Sequence, residues 1–304
     1  MDAVITYVNG LDPLWQKDYE KRVGVSILSK RFRDWGTLKF LLRGIQKYMP
    51  FIENVYLVVA RDSQVPEWVD RSQLRIVTHD MIMPAESLPT FNSSMIEMFL
   101  HRIPGLADRY LYFNDDMFPV ADCSVEDFFV DGKTAMNYSK TILCGSKFKQ
   151  LAKRSDHLAR KALGMKPSMI YARPQHTCSP MQRKPFEELY AKVEPEIMAS
   201  LTPLRSDNNY NQYLFLDYLL YTGRAFSRRI PAKYYSLATS SPSRICRLLL
   251  NPGSKKLICI NDVHLSEKKF QRYHAFSKKG RYIPMPRRIL PSSRLAGTSK
   301  DSRL

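Results

Sequence analysis

The sequence is poor in cysteine, and its five (Cys123, Cys144, Cys178, Cys246, Cys259) are scattered without a C-x-x-C pair. An odd, dispersed set argues against a disulfide framework and a structural zinc site, and fits a reducing cytoplasm. No run of about 18 or more apolar residues occurs, so no helical membrane span is expected. The opening Met1-Asp2-Ala3-Val4-Ile5-Thr6 lacks a basic region followed by an apolar run and a cleavage site. No signal peptide is therefore expected, and the expected location is cytoplasmic. Internal repeats are not detectable.

What the chain does have is enough apolar material for a large core, 44% hydrophobic over 304 residues. That suits one α/β domain with a substantial insertion. Its net charge of +18 is unevenly placed. Residues 144–185 carry ten Lys or Arg against one acid, Asp156, and residues 267–304 carry eleven against Glu267 and Asp301. Concentrated charge of this kind points to an anionic partner such as a polyphosphorylated substrate, a membrane surface or nucleic acid.

Along the chain, Ala3 to Val8 reads as a strand ending in the breakers Asn9-Gly10-Leu11-Asp12-Pro13. Leu38, Leu41, Leu42, Ile45 and Met49 fall at helical spacing before Pro50. Val55 to Ala60 and Leu74 to Thr78 read as buried strands. Ser94-Met95-Ile96-Glu97 has the form of a capping box opening a helix that carries Phe99, Leu100 and Ile103 to Pro104. Tyr110 to Phe113 is a further strand, running directly into Asn114-Asp115-Asp116. Beyond Gly132, helices are expected over Leu151 to Leu163, Phe186 to Val193 and Tyr210 to Tyr221. Leu257 to Ile260 is a late strand, again followed at once by Asn261-Asp262. The alternation predicts an α/β sheet with at least partly parallel strands. The expected organisation is a catalytic α/β domain over 1–266 with a basic, mainly helical insertion at about 144–223. A basic tail, 267–304, follows.

In open α/β sheets ligands bind beyond the carboxyl ends of strands, where both Asn-Asp pairs would lie. Acids beside an amide suit a hard divalent cation such as Mg2+ or Mn2+ that shares its oxygens with phosphate. The competing reading is a polar turn, since Asn and Asp are common turn formers. Arg31-Phe32-Arg33-Asp34 puts two guanidinium groups ahead of a helix, as a phosphate clamp or a surface ion pair. His176, between Pro174 and Pro180, could act as a base or bind phosphate, and Arg205 could clamp phosphate. Leu88-Pro89-Thr90-Phe91-Asn92-Ser93 leads into the capped helix and could serve initiation alone.

Asp2-Ala3-Val4-Ile5-Thr6-Tyr7-Val8-Asn9-Gly10-Leu11-Asp12-Pro13 resembles the first conserved block of the Stealth family of sugar-1-phosphate transferases. That family includes bacterial capsular and exopolysaccharide phosphotransferases and the catalytic part of the animal enzyme that tags lysosomal glycoproteins. The stretches from Arg31 to Pro50 and from Leu88 to Asp116 resemble its long second block. Gln175-His176, Pro180 and Leu204-Arg205-Ser206 resemble the third block more loosely, with His-Thr-Cys-Ser-Pro in place of a tighter His-x-Pro. Leu257 to Asp262 is similar to the fourth. Tyr7 stands where an indole is usual, which leaves an aromatic face for nucleotide stacking.

The resemblance implies a glycosyltransferase-A-like, Rossmann-type nucleotide-sugar-binding fold. It implies transfer of a hexose 1-phosphate, for example GlcNAc-1-phosphate, from a UDP-sugar to a glycan hydroxyl in capsular or exopolysaccharide synthesis, with release of UMP. Thr6, Tyr7, Val8, Asn9, Gly10, Arg33 and Asp34 would line the nucleotide-sugar side. Thr90, Asn92 and Ser93 would lie on the acceptor or sugar side. Asp116, Asn261 and Asp262 would hold Mg2+ or Mn2+, Arg205 would bind phosphate, and Asp115 or His176 would be the base. The implied partners are the UDP-sugar donor, a glycan or capsular polymer and, through the tail, an anionic membrane face; nucleic acid is not among them. Two other classes stay open at this point: a conventional metal-dependent glycosyltransferase releasing UDP, and a non-enzymatic binder of anionic polymers.

Overall fold

The computed structural model describes residues 1–24, 32, 35–142, 145–262 and 265–278. Strands β1 (Asp2–Thr6), β2 (Asn54–Val59), β3 (Arg75–Thr78) and β4 (Arg109–Asn114) run parallel in the order β4-β1-β2-β3. The α/β class expected from the sequence is the one observed. Parallel strands are buried on both faces, which is why they read as nearly unbroken apolar runs. On one face Val4, Tyr56, Val58, Tyr110 and Tyr112 join Phe99, Phe186 and Leu214. On the other, Ala3, Ile5, Leu57, Leu111 and Phe113 pack with Leu38, Leu41 and Ile45. Each fully buried side chain of this size contributes about 1.5–3 kcal/mol.

Helix α1 (Pro13–Val23) follows β1; its cap Asp12 accepts from the Leu14 N–H at 2.9 Å, and Gly24 closes it with φ 77°. Helix α2 (Leu38–Tyr48) supplies the apolar stripe expected from its spacing. Short α3 (His79–Ile82) follows β3, and α4 (Ser93–Glu97) precedes β4. The capping box expected at Ser94 is not formed. The cap is Asn92, whose Oδ1 accepts from the Ser94 N–H at 3.1 Å, while Glu97 is buried and turned to other partners. The helix expected to reach Pro104 is also broken, into α4 and a separate 3-10 turn at Leu100–Arg102.

After β4 the chain turns through Asp115 and Asp116 into β5 (Met117–Pro119). A small sheet of β6 (Phe129–Val130) and β7 (Lys133–Met136) comes next, joined later by β11 (Ala225–Ser227). Next come β8 (Tyr138–Thr141), α5 (Lys147–Ala162) and β9 (Tyr171–Pro174), with β8 paired antiparallel to β9. The chain continues with β10 (Ser179–Gln182), α6 (Arg183–Ser200) and α7 (Tyr213–Tyr221). β10 was not foreseen: it returns to the main sheet antiparallel to β4. Pro180 hides this strand in the sequence, and an edge position is where a sheet tolerates proline.

The chain ends its described course with β12 (Ala232–Ser236), α8 (Pro242–Leu250), β13 (Leu257–Asn261) and α9 (Glu267–Lys278). β13 lies between β12, parallel to it, and β5, antiparallel to it. This sheet sits against α2, where Gly44 permits the approach: a Cβ there would lie 2.8 Å from the Pro119 carbonyl oxygen. Phe270 and Tyr273, at the start of the basic tail, pack edge-on against Trp35 at centroid distances of 5.0 and 6.5 Å. The start of the basic tail is thus an apolar contact, because an amphipathic helix has an indole within reach. Among the described residues, no helix is long and apolar enough to cross a membrane.

Candidate active site

The site forms where β4 ends. Its last residue, Asn114, is fixed by the Tyr112 hydroxyl, which donates to Asn114 Oδ1 at 2.7 Å, and by Thr6 Oγ1 at 3.4 Å. Thr6 Oγ1 also lies 2.9 Å from the Tyr112 hydroxyl. Beneath them Glu97 accepts from the Gln212 N–H at 2.9 Å and sits 3.3 Å from the Tyr112 hydroxyl. Burial raises the Glu97 carboxyl above its ordinary value, against the lowering pull of these hydrogen bonds and of Arg205. Sequence reading missed Glu97, Tyr112 and Gln212. The acid at position 97 was assigned to a helix cap, and nothing local announces that its partners lie far along the chain.

Asp116 is the centre of the cluster. Its backbone carbonyl accepts from the Ile260 N–H at 2.9 Å, which fastens the turn to β13. Its Oδ2 accepts from the Asn261 side-chain amide at 3.1 Å and from the Cys259 thiol at 3.3 Å. Its Oδ1 is buried and has no hydrogen-bond partner among the described residues. The donor atoms of Asp116, His176 and Cys259 all lie within 4.8 Å of one another. Asp262, one residue beyond Asn261, accepts from Trp35 Nε1 at 2.7 Å. The two Asn-Asp pairs singled out in the sequence therefore meet. Cys259 and Trp35 were not foreseen; the only signal for Cys259 is that it stands two residues before Asn261 on one strand and so shares its face.

A buried carboxylate oxygen with no hydrogen-bond donor is costly unless something positive reaches it. That orphan, with the Asn261 amide and the His176 imidazole close by, fits a divalent cation. Burial, with Asp116 beside it, pushes the Cys259 thiol well above its ordinary value, so its sulfur offers Asp116 an S–H rather than a thiolate. The charged donors left for an ion are carboxylate oxygens, as Mg2+ or Mn2+ prefers.

His176 lies in the short connection from β9 to β10, where Gln175 N–H donates to the Asn137 carbonyl at 2.8 Å. Burial lowers its pKa below the ordinary value, opposed by Asp116 and assisted by Arg205. Arg205 is exposed and its guanidinium bonds to Ser93 Oγ. Its loop is held by Asn92, whose amide donates to the carbonyls of Thr202 and Leu204 at 3.0 and 3.2 Å and to Asn209 Oδ1 at 2.9 Å. Thr37 Oγ1 donates to the Asp115 carbonyl at 3.4 Å.

Several expected positions have other surroundings. Tyr7 is 6% exposed and packs in the core with Leu38 and Phe118, so its ring offers no open stacking face. The period-two alternation of β1 continues through it and sends it to the face of Ala3 and Ile5. Val8 packs with Trp15 and Phe91. Asn9 is spent on a turn, accepting from the Leu11 N–H at 2.9 Å and bonding Gln64 through its backbone. Gly10 approaches the Phe32 carbonyl so closely that a Cβ would collide with it. Thr90 and Asn92 are buried and hydrogen-bonded within the protein, Thr90 at the wall of a separate groove of about 680 Å3 that Lys21, Arg22, Arg61 and His79 also line. Of the expected acceptor-side trio only Ser93 reaches Arg205. Arg33 and Asp34 lie outside the described residues.

Comparison with known proteins agrees with the resemblance seen in the sequence. Residues 31–137 match the family model for Stealth protein CR2, conserved region 2. The capsular polysaccharide phosphotransferase WcwK of Streptococcus pneumoniae is 28% identical, covering 87% of this chain and 91% of that protein. The receptor polysaccharide phosphotransferase WefC of Streptococcus oralis is 29% identical over 86% and 90%. An exopolysaccharide phosphotransferase, cps2G of Lactiplantibacillus plantarum, is 40% identical over 42% of this chain and 39% of its own. Among solved structures, the galactosyltransferase LgtC with donor and acceptor sugar analogues aligns over 93% of this chain and 100% of that one, at TM-score 0.41 and 10% identity.

Proposed function

We propose that this chain, which carries the Stealth family's second conserved region, is an enzyme that transfers a sugar 1-phosphate from a UDP-sugar to a glycan hydroxyl in capsular or exopolysaccharide synthesis. The observation that carries the reading is the meeting of Asp116, Asn261 and His176 at the carboxyl end of β4. A carboxylate, an imidazole and a nearby guanidinium are what a phosphoryl transfer to a hydroxyl requires.

The acceptor hydroxyl oxygen attacks the sugar-proximal phosphorus, the bond to the bridging oxygen breaks, and UMP leaves. The anomeric bond is untouched, and a phosphodiester is the product. His176 serves as the base: its depressed pKa keeps it neutral near pH 7, ready to take the hydroxyl proton. Arg205, held by Ser93, binds phosphate oxygens and favours the more highly charged transition state. Asp116, with Asn261 and Asp262, would hold Mg2+ or Mn2+, which when bound offsets charge on the pyrophosphate. Glu97 and Tyr112 act at one remove, by fixing Asn114 and the end of β4.

The test is product analysis with a panel of UDP-sugars and glycan acceptors. UMP with an acid-labile sugar phosphodiester is the expected outcome. Stoichiometric UDP would mean that the anomeric bond breaks and would overturn the reading.

A further inference from the structure

Two aromatic rings stand at the mouth of the site with no part in the chemistry above. Phe148, in the first turn of α5, is 40% exposed, and Tyr234, on β12, is 43% exposed. Their ring centroids lie 6.1 and 6.3 Å from that of His176. Both are set on firm supports. Tyr234 is in register with Cys259, the residue that donates to Asp116. Phe148 meets the buried ring of Tyr213 edge-on, with centroids 5.6 Å apart at 80°.

Open aromatic faces on rigid elements gain contact area on binding and lose little conformational freedom. A pyranose ring suits them, because its C–H groups form an apolar face while its hydroxyls point outward to the polar cluster. Uncharged rings do nothing for a pyrophosphate, whose charge falls to Arg205 and to the cation that Asp116 would hold. A nucleobase would also stack on them, but it lies one phosphate and a ribose away from the phosphorus under attack. The rings flank the residue that takes the proton from the attacking hydroxyl.

From this placement, and resting on the function proposed above, we infer that Phe148 and Tyr234 form the subsite for the pyranose ring of the glycan acceptor and set its hydroxyl beside His176.

The experiment needs no turnover, so its failure and the failure of the phosphotransferase reading are separable. Methyl β-glucopyranoside, methyl β-galactopyranoside and methyl N-acetyl-β-glucosaminide are titrated into the full chain, with binding followed by saturation-transfer NMR. Transfer is expected to be strongest at the ring C–H protons of at least one of them. Phe148→Ala with Tyr234→Ala should weaken that binding by about tenfold or more, the loss expected for two aromatic contacts. Tyr234→Phe, which keeps the ring, should bind within about twofold of wild type by the same reasoning. UDP affinity, measured by calorimetry, should not change in the double variant. The inference is overturned if none of the three sugars binds, or if the double variant binds them as wild type does. A parallel loss of UDP affinity also overturns it, since the rings would then hold the nucleotide. Circular dichroism of the double variant checks that a loss is not unfolding.

Discussion

Asn261 donates its side-chain amide to Asp116 Oδ2 across 3.1 Å, joining two strand ends that lie 145 residues apart in the chain. Because the contact is made at the edge of the core, its loss should cost activity far more than stability. Asp116→Ala should lower turnover by at least about a hundredfold, the scale of removing one transition-state electrostatic contact. Its melting temperature should stay close to wild type, and its affinity for Mn2+, followed by electron paramagnetic resonance, should collapse. Unaltered Mn2+ binding would remove Asp116 from the ion site.

Chelation should act on the same site from the other direction. EDTA should abolish turnover, and Mn2+ or Mg2+ added back should restore it. Turnover that survives exhaustive chelation would show that the cluster works through its protein groups alone.

The depressed pKa of His176 has a kinetic sign. A base that loses its proton below the usual histidine value stays competent into mildly acidic solution. The acid limb of kcat/KM should therefore have its midpoint below 6.5. A midpoint above that value would exclude His176, in this environment, as the base.

His101 makes a separate prediction about stability. It lies between Phe186 and Tyr190 with centroids 4.5 and 4.8 Å away, and burial lowers its pKa to about 3. Between about pH 6.5 and 3 the unfolded chain binds a proton here that the native chain does not, so this group favours unfolding increasingly as pH falls. His101→Phe should remove that contribution. The difference in melting temperature, variant minus wild type, should grow as pH drops from 7 to 4; a constant difference would contradict the assignment.

Trp35 links α9 to the site, receiving Phe270 and Tyr273 and donating to Asp262. Phe270→Ala should cost about 1 kcal/mol, since the ring is only half-buried. Trp35→Phe keeps the packing and removes the donor, so it should reduce turnover with little change in thermal stability. If Trp35→Phe is as active as wild type, Asp262 needs no such orientation.

Much of this was legible in the chain. The aromatic run Tyr110 to Phe113 ending in Asn114-Asp115-Asp116 gave both an interior strand and the strand end where Asp116 meets Asn261 and His176, because a parallel strand is apolar until it leaves the sheet. The stripe from Leu38 to Ile45 gave α2 for a similar reason. What stayed hidden depends on tertiary partners. Glu97 looks like a capping acid until Gln212 and Tyr112 are seen beside it. Asn92 looks like a ligand for a sugar until the 202–209 loop is seen to take its hydrogen bonds, and Thr90 until its hydroxyl is seen accepting from the Asn92 N–H. Tyr7 looks like a stacking ring until the pleat is followed one residue past the strand.

Only four residues, 175–178, connect β9 to β10, a span of about 13 Å at full stretch. One end belongs to the small sheet of β8 and β9 and the other to the edge of the main sheet. The tether is turned and anchored, since the Thr177 N–H donates to the Gln175 carbonyl at 3.0 Å and the Gln175 N–H to the Asn137 carbonyl at 2.8 Å. Lengthening it by a residue or two should let the imidazole drift from Asp116, even with every other contact of the site intact.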